Sequence, residues 1–422
     1  MDFFKTLLSQ GKTQFHVVEA CKDYLDKSGF KCISPDYGFK DIQPGKYYIS
    51  PFSSMLIPFV IGKNPTSVRF AAAHTDFPML KLKCNPEINK KEYLQVNIEP
   101  YGGLIKESWF DRPLGLAGKV IIKGKSAFEP ETLLFDSHKP LFVIPNLAPH
   151  LKHNSSASEM DISKEMIPIY GMAGNVKEPE SVNNCKINKR ILLDYISNDL
   201  QIEEANILDY DLYLYISENA STLGLWDEFI LGARIDNISS VAAIIETICS
   251  AEINNSIVIG ALFDNEEIGS RSKQGADSYL LRDLAEQIIP DRKLLYKAFN
   301  LSVDVAHATH PNYCEKSDIT NDIILGNGVV LKSSASQRYV TDSEAGAVIE
   351  ALSRDNGIKI QRQVNRSGMP GGQTLGPIMS SYLPVKSVDI GIPMLAMHSA
   401  GELIHKDDYL ELIKLLTAYF EY

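Results

Sequence analysis

Two rhythms of apolar and polar residues run along this chain. In its outer parts, short unbroken apolar runs end abruptly in polar residues. Val68–Ala73 (VRFAAA) runs into His74-Thr-Asp76, and Ser256–Phe263 (SIVIGALF) runs into Asp264-Asn-Glu-Glu-Ile-Gly269. Phe299–His307 (FNLSVDVAH) is a third such run. Val385–His398 (VKSVDIGIPMLAMH) is a fourth, broken by Gly391 and Pro393. Each predicts a buried strand with polar groups at its carboxyl end. Helical spacing lies between them, over Asn237–Ile248, Asp277–Gln287, Ser343–Ser353 and Lys406–Tyr419. Near the start, Phe15, Val18 and Leu25 predict an amphipathic helix over Phe15–Asp26. Strands alternating with helices predict an α/β domain whose mixed sheet is mostly parallel and flanked by helices.

The second rhythm occupies residues 86–225. Short alternating runs (YLQVNIE, KVIIKGK, LYLYI) surround a polar stretch, Lys152–Arg190, with little periodicity. This reads as a mostly β insertion with long loops. Residues 1–85 and 226–422 would then form one discontinuous α/β domain, interrupted at a loop, where insertions are tolerated.

A chain of 422 residues has ample length for a large core. At 44% apolar and 23% charged it is ordinary for a globular enzyme. The net charge of −11 excludes a general attraction to nucleic acid or an anionic membrane. The apolar run Met55–Ile61 is far short of the about 20 residues that span a bilayer. Cys21, Cys32, Cys84, Cys185, Cys249 and Cys314 are scattered without a CxxC pair, which predicts reduced thiols. With no leader pattern at MDFFKTLLSQGK, the expectation is a cytoplasmic protein.

The strand ends collect the candidate chemistry: His74, Asp76, Asp264, Glu266, Glu267, Asp304, His307 and His398. Ligands of open α/β sheets bind beyond the carboxyl ends of the strands, and a His/carboxylate set there suits zinc or a similar divalent ion. Singly, each residue has an ordinary reading. His74 and Asp76 could be a polar pair at a strand end, and Asp236 could cap the helix that follows it. Glu266-Glu267 could be a solvated turn. After an apolar strand, however, adjacent carboxylates repel unless something positive lies between them. A metal would supply that charge, with one Glu as ligand and the other as proton acceptor. The glycine-rich stretch Arg366–Gly376 lacks the Lys-Ser/Thr of a phosphate loop, leaving a loop near a ligand or a plain surface loop. No GxSxG elbow or HExxH helix occurs.

In order along the chain, His74-Thr-Asp76, Tyr101-Gly-Gly, Trp109-Phe-Asp-Arg112, Leu116-Ala-Gly118 and Ala233-Arg-Ile-Asp236-Asn form a recognisable set. It continues through Asp264–Ser270, Asp304–Tyr313, Gln337-Arg-Tyr339, Gly371–Ile378 and Met397-His-Ser399. The set resembles the aspartyl aminopeptidase family of two-zinc exopeptidases, which also includes the vacuolar-type aminopeptidases, over about Phe15 to Glu402. The resemblance implies a zinc-exopeptidase α/β fold with an inserted β-rich dimerisation domain. It implies two divalent ions per subunit, zinc first and manganese or cobalt as alternatives. His74, Asp236, Glu267, Asp304 and His398 would be the ligands, with Asp236 bridging. Glu266 would be the general base, and Asp76 would orient His74. His150, His307, Lys332 and Tyr339 would contact the peptide, Lys332 favouring an acidic first residue. Self-assembly into a homododecamer built from dimers is implied too.

The sequence departs from the family pattern at Phe77 (usually Ser), Glu107 (often His), Pro113 (usually Asp) and Gly401 (usually Arg). None is a ligand or the base, so these touch substrate preference and subunit contacts more than reaction class. The competing expectations are a preference for neutral or apolar first residues, a two-metal deacylase or carboxypeptidase, and a non-catalytic assembly protein.

Overall fold

The computed structural model describes residues 1–34, 42–151, 160–175, 190–289, 291–369 and 371–422. The chain folds as two compact units, Met1–Phe77 with Asn219–Tyr422, and Pro78–Glu218.

The first unit is an α/β layer built on a nine-stranded mixed sheet. Four parallel strands form its middle, in the order Ser256–Phe263, Ser67–His74, Phe299–Val303 and Lys386–Gly391. Their register sets Phe263 beside His74 and Val303 beside Ile390, so their carboxyl ends share one edge. Antiparallel strands Gly45–Phe52 and Met55–Ile61 extend one side. Val329–Lys332 and Ile360–Gln363 extend the other. Both faces of the middle strands are covered, which is why they read as unbroken apolar runs rather than alternating ones. On one face Phe59, Phe70, Ile259 and Phe263 pack with Leu281, Leu284 and Ile288 of helix Leu280–Ile288 and with Met379 of helix Leu375–Tyr382. Full burial of such a side chain contributes about 1.5–3 kcal/mol. Helices Ile235–Ser250 and Lys406–Glu421 pack on each other and on the sheet.

One predicted strand stops early. Phe299–His307 was expected as one strand, yet the central-sheet strand ends at Val303. Ala306–His307 instead joins a five-stranded sheet with Pro393–Leu395, Glu402–His405, Phe229–Gly232 and Ser221–Leu223. Val385–His398 divides after Gly391, at the break its glycine and proline predict. The chain stays extended through both breaks, with the N–H groups of Asp304, Ala306 and Ala308 donating to Ile390, Ile392 and Met394. Only the sheet partner changes. A side chain at Gly391 would put its Cβ 1.6 Å from the Asp304 carbonyl oxygen, so only glycine lets the two strands run this close.

The second unit is a six-stranded sheet in the order Glu129–Asp136, Leu114–Ser126, Ile207–Ile216, Met79–Lys90, Tyr93–Tyr101 and Ile169–Met172. Every neighbour is antiparallel. A helix, Ile191–Leu200, follows the polar stretch and was not expected; neither was helix Asp2–Gln10 at the start of the chain. Cys21, Cys32, Cys84, Cys249 and Cys314 are free thiols. Cys185 lies outside the described residues. Among the described residues, no helix is long and apolar enough to cross a membrane.

Candidate metal centre

At the shared edge of the central sheet, six side chains converge. His74 ends its strand, Asp304 follows the next, and Glu266 and Glu267 begin a tight turn just past Phe263. Asp236 sits where helix Ile235–Ser250 is not yet helical, with φ −75° and ψ 110°. The cap position of that helix is Arg234, and the Asp236 carboxylate turns to the two histidines. One oxygen, Oδ1, lies 3.4 Å from His74 Nε2, and that same nitrogen is 3.5 Å from Asp304 Oδ1. The other oxygen, Oδ2, lies 3.3 Å from His398 Nε2, which is 3.4 Å from Glu267 Oε2. The groups His74–Asp236–Asp304 and Asp236–Glu267–His398 each bring one donor atom per residue within 4.8 Å of the others. Glu266 lies beside them, in a further group with His74 and Glu267.

The electrostatics show how strongly these groups act on one another. Burial pushes Glu266 up to about 8; His74 opposes the shift, while Asp304, Asp76 and Asp236 add to it. Burial and Asp236 also hold Glu267 well above the carboxylate range. Burial alone would lower the His74 pKa, but Asp236, Asp304 and Asp76 raise it well above its usual value. Asp236 Oδ1 and Glu267 Oε1 are buried without a hydrogen-bond partner among the described residues. Buried carboxylate oxygens without partners are costly. Two imidazoles and a surplus of carboxylates with open lone pairs fit a divalent cation of the zinc type.

The backbone beneath these side chains is held by two other carboxylates. Asp76 accepts the N–H of Glu266 on Oδ1 and that of Glu267 on Oδ2, both at 3.1 Å. Its backbone oxygen lies 3.0 Å from His74 Nδ1, nearer than its carboxylate at 3.5 Å. Glu402 accepts the N–H of Asp236 at 3.0 Å and that of His398 at 2.7 Å. In the sequence Glu402 marks only the end of the stretch that carries the family resemblance. Its partners are main-chain donors, which no residue pattern encodes. Asn265 and His398 have φ of 64° and 66°, a left-handed conformation that costs about 1–2 kcal/mol for a residue with a side chain.

The expected peptide contacts are distributed differently. Lys332 is 1% exposed, so its charge must be met inside the protein. Its Nζ donates to the Val305 carbonyl at 2.9 Å, lies 3.7 Å from Asp304 Oδ2 and stands over the Tyr339 ring at 5.4 Å. Burial alone would lower the Lys332 pKa; Asp304 and Tyr339 raise it. Tyr339 is itself buried, and His307 is exposed. The loop after Tyr339 is anchored by Asp389, which accepts the Val340 N–H at 2.5 Å. Asp389 also accepts the Thr374 hydroxyl at 2.7 Å, fixing the end of the glycine-rich stretch. His150 belongs to the second unit, on the exposed turn Pro149–Leu151. Of the departures, Phe77 is buried with the Arg234 guanidinium 5.8 Å from its ring centre, and Glu107 is exposed. The Pro113 carbonyl accepts from Ser217, and Gly401 has room for a side chain beside Leu231.

The family described as Aminopeptidase I zinc metalloprotease (M18) matches residues 7–420. The chain belongs to the M18 family. It is therefore a zinc aminopeptidase, a hydrolase of the exopeptidase class. The protein named Probable M18 family aminopeptidase 2 of Clostridium novyi is 37% identical over 421 residues, covering 97% of this chain and 95% of its own length. The fold matches the structure of the Ape4 and Nbr1 complex with a TM-score of 0.93 at 30% identity, over 99% of this chain and 84% of that one. It matches the S. cerevisiae mApe1 dodecamer with a TM-score of 0.83 at 25% identity, over 99% and 95% of the two chains. For an M18 aminopeptidase, the converging histidines and carboxylates are the place to look for zinc.

Proposed function

We propose that this M18 protein is a two-metal aminopeptidase that prefers peptides with an acidic first residue. The observation that carries the reading is the division of Asp236, one oxygen toward His74 and Asp304, the other toward His398 and Glu267. His74, Asp304 and Asp236 would hold one ion, and Asp236, Glu267 and His398 the other. Zinc suits these donors first, and manganese or cobalt also fit. When bound, such ions supply Lewis acidity toward a carbonyl and acidify water.

The chain's own groups do the rest. Glu266 takes the proton of the attacking water on its carboxylate and returns it to the leaving amine. A half-buried carboxylate beside the ligand groups, in reach of His74 and Glu267, is placed to accept and release that proton. Asp76 fixes the turn that presents Glu266. His307 and Tyr339 contact the peptide, and His150 donates to the developing oxyanion, as the family resemblance implies. Lys332 supports the acidic preference. With Asp304 turned to a cation, its ammonium has one counter-charge fewer and favours an anionic side chain nearby.

In the same reading the chain is cytoplasmic and assembles into a homododecamer built from dimers, with the inserted unit as the dimerisation domain. The likeness to the mApe1 dodecamer supports the assembly. The test is a release assay on peptides that differ only in their first residue, run with zinc, cobalt and manganese. Faster release of Glu or Asp than of Leu is expected. Equal or faster release of Leu removes the acidic preference, and cleavage of amino-blocked substrates alone removes the aminopeptidase reading.

A further inference from the structure

His398 and Asp236 reach the centre from different parts of the fold, and neither stands on regular structure. His398 lies in the turn between strands Pro393–Leu395 and Glu402–His405, with a left-handed backbone. Asp236 follows strand Phe229–Gly232, before its helix becomes regular. Strand Phe229–Gly232, which leads to Asp236, neighbours strand Glu402–His405, which follows the His398 turn, and Glu402 pairs with Gly232 in the register between them. Glu402 is thus the first residue of a strand whose partner leads to Asp236 and whose preceding turn carries His398. Its buried carboxylate spends one oxygen on each: Oε2 on the Asp236 N–H and Oε1 on the His398 N–H.

From this geometry we infer that Glu402 is a positioning residue for the Asp236–Glu267–His398 group, fixing the spacing of His398 from Asp236 without itself ligating the ion. The inference rests on the two-metal reading above. A carboxylate has two acceptor oxygens and can serve both N–H groups. A carboxamide has one, so Glu402→Gln must release either Asp236 or His398. His398 serves only one group, while Asp236 is also held near His74 and Asp304. Loss of the clamp therefore weakens one metal group more than the other. General loss of stability would weaken both alike.

The test is titration of the full metal-free chain with cobalt, followed by its visible absorption, and with zinc by calorimetry. The wild type is expected to take up two ions. In Glu402→Gln one ion is expected to bind within about 3-fold of the wild type and the other ~10–100-fold more weakly, the usual scale for an outer-shell partner. At saturating metal KM is expected to stay unchanged and kcat to recover. Glu402→Asp, which keeps two acceptors on a shorter stem, is expected to show the same change at smaller size, and gives the same readout if the amide variant does not fold. An unchanged ratio of the two affinities in a folded variant overturns the role of Glu402 and leaves the two-metal reading intact. A wild type that binds fewer than two ions overturns both.

Discussion

His74 ends one strand of the central sheet and Asp304 directly follows its neighbour, whereas Glu267 and His398 sit on turns, one beyond Phe263 and the other between two strands of the five-stranded sheet. The first pair inherits its spacing from a hydrogen-bonded ladder, with both strands buried on both faces. The second pair depends on the carboxylates of Asp76 and Glu402, which hold main-chain N–H groups beside left-handed residues. The two histidines differ in exposure, the side chain of His74 being 2% exposed and that of His398 28%, whereas Glu267 at 4% is more buried than Asp304 at 14%. One half of the proposed centre is scaffold, and the other is held in place by side chains, with His398 partly open to solvent. A turn of this kind can admit a substrate, at the cost of needing dedicated clamps.

Mutations can break or sharpen that contrast. The largest effect is expected from Asp236→Ala, because Asp236 is the one residue both halves share. Both ions should be lost and peptide release should fall to background, measured by metal content and by assay of the purified protein. Retention of one ion would show that the halves stand alone. Next, Glu266→Gln should keep its metal and lose ~10²–10⁴-fold in kcat, the usual contribution of a general base. Normal turnover would remove Glu266 from that role. The smallest effect is expected beside the rigid half, where Lys332→Met should reduce the ratio of acidic to neutral release about tenfold, in line with loss of one charged hydrogen bond. An unchanged ratio would place the preference elsewhere.

The same contrast explains what could be read in the amino-acid pattern. Ser256–Phe263 and the helix starting at Lys406 emerged with their limits nearly complete, because burial on two faces or on one helical stripe leaves a direct mark on residue type. The residues at the strand ends stood out because polar groups there have no ordinary partner. The change of sheet after Val303 was hidden, because an extended backbone looks the same whichever strand it pairs with. Glu402 was hidden for a related reason: its partners are backbone groups 166 and 4 positions away. The family resemblance implies the roles of these residues, and the fold sets the geometry of what holds them.

The close approach at Gly391 bears on how such a chain can drift. Ile390 and Ile392 face packed surroundings that other apolar residues of similar size can fill. Position 391 has no such neighbours to trade with, because the Asp304 carbonyl already occupies the space where a methyl group would go. A residue with no side chain and no chemistry of its own is thus among the least replaceable points in the sequence. Its constraint comes from the neighbouring strand, where Asp304 has to be.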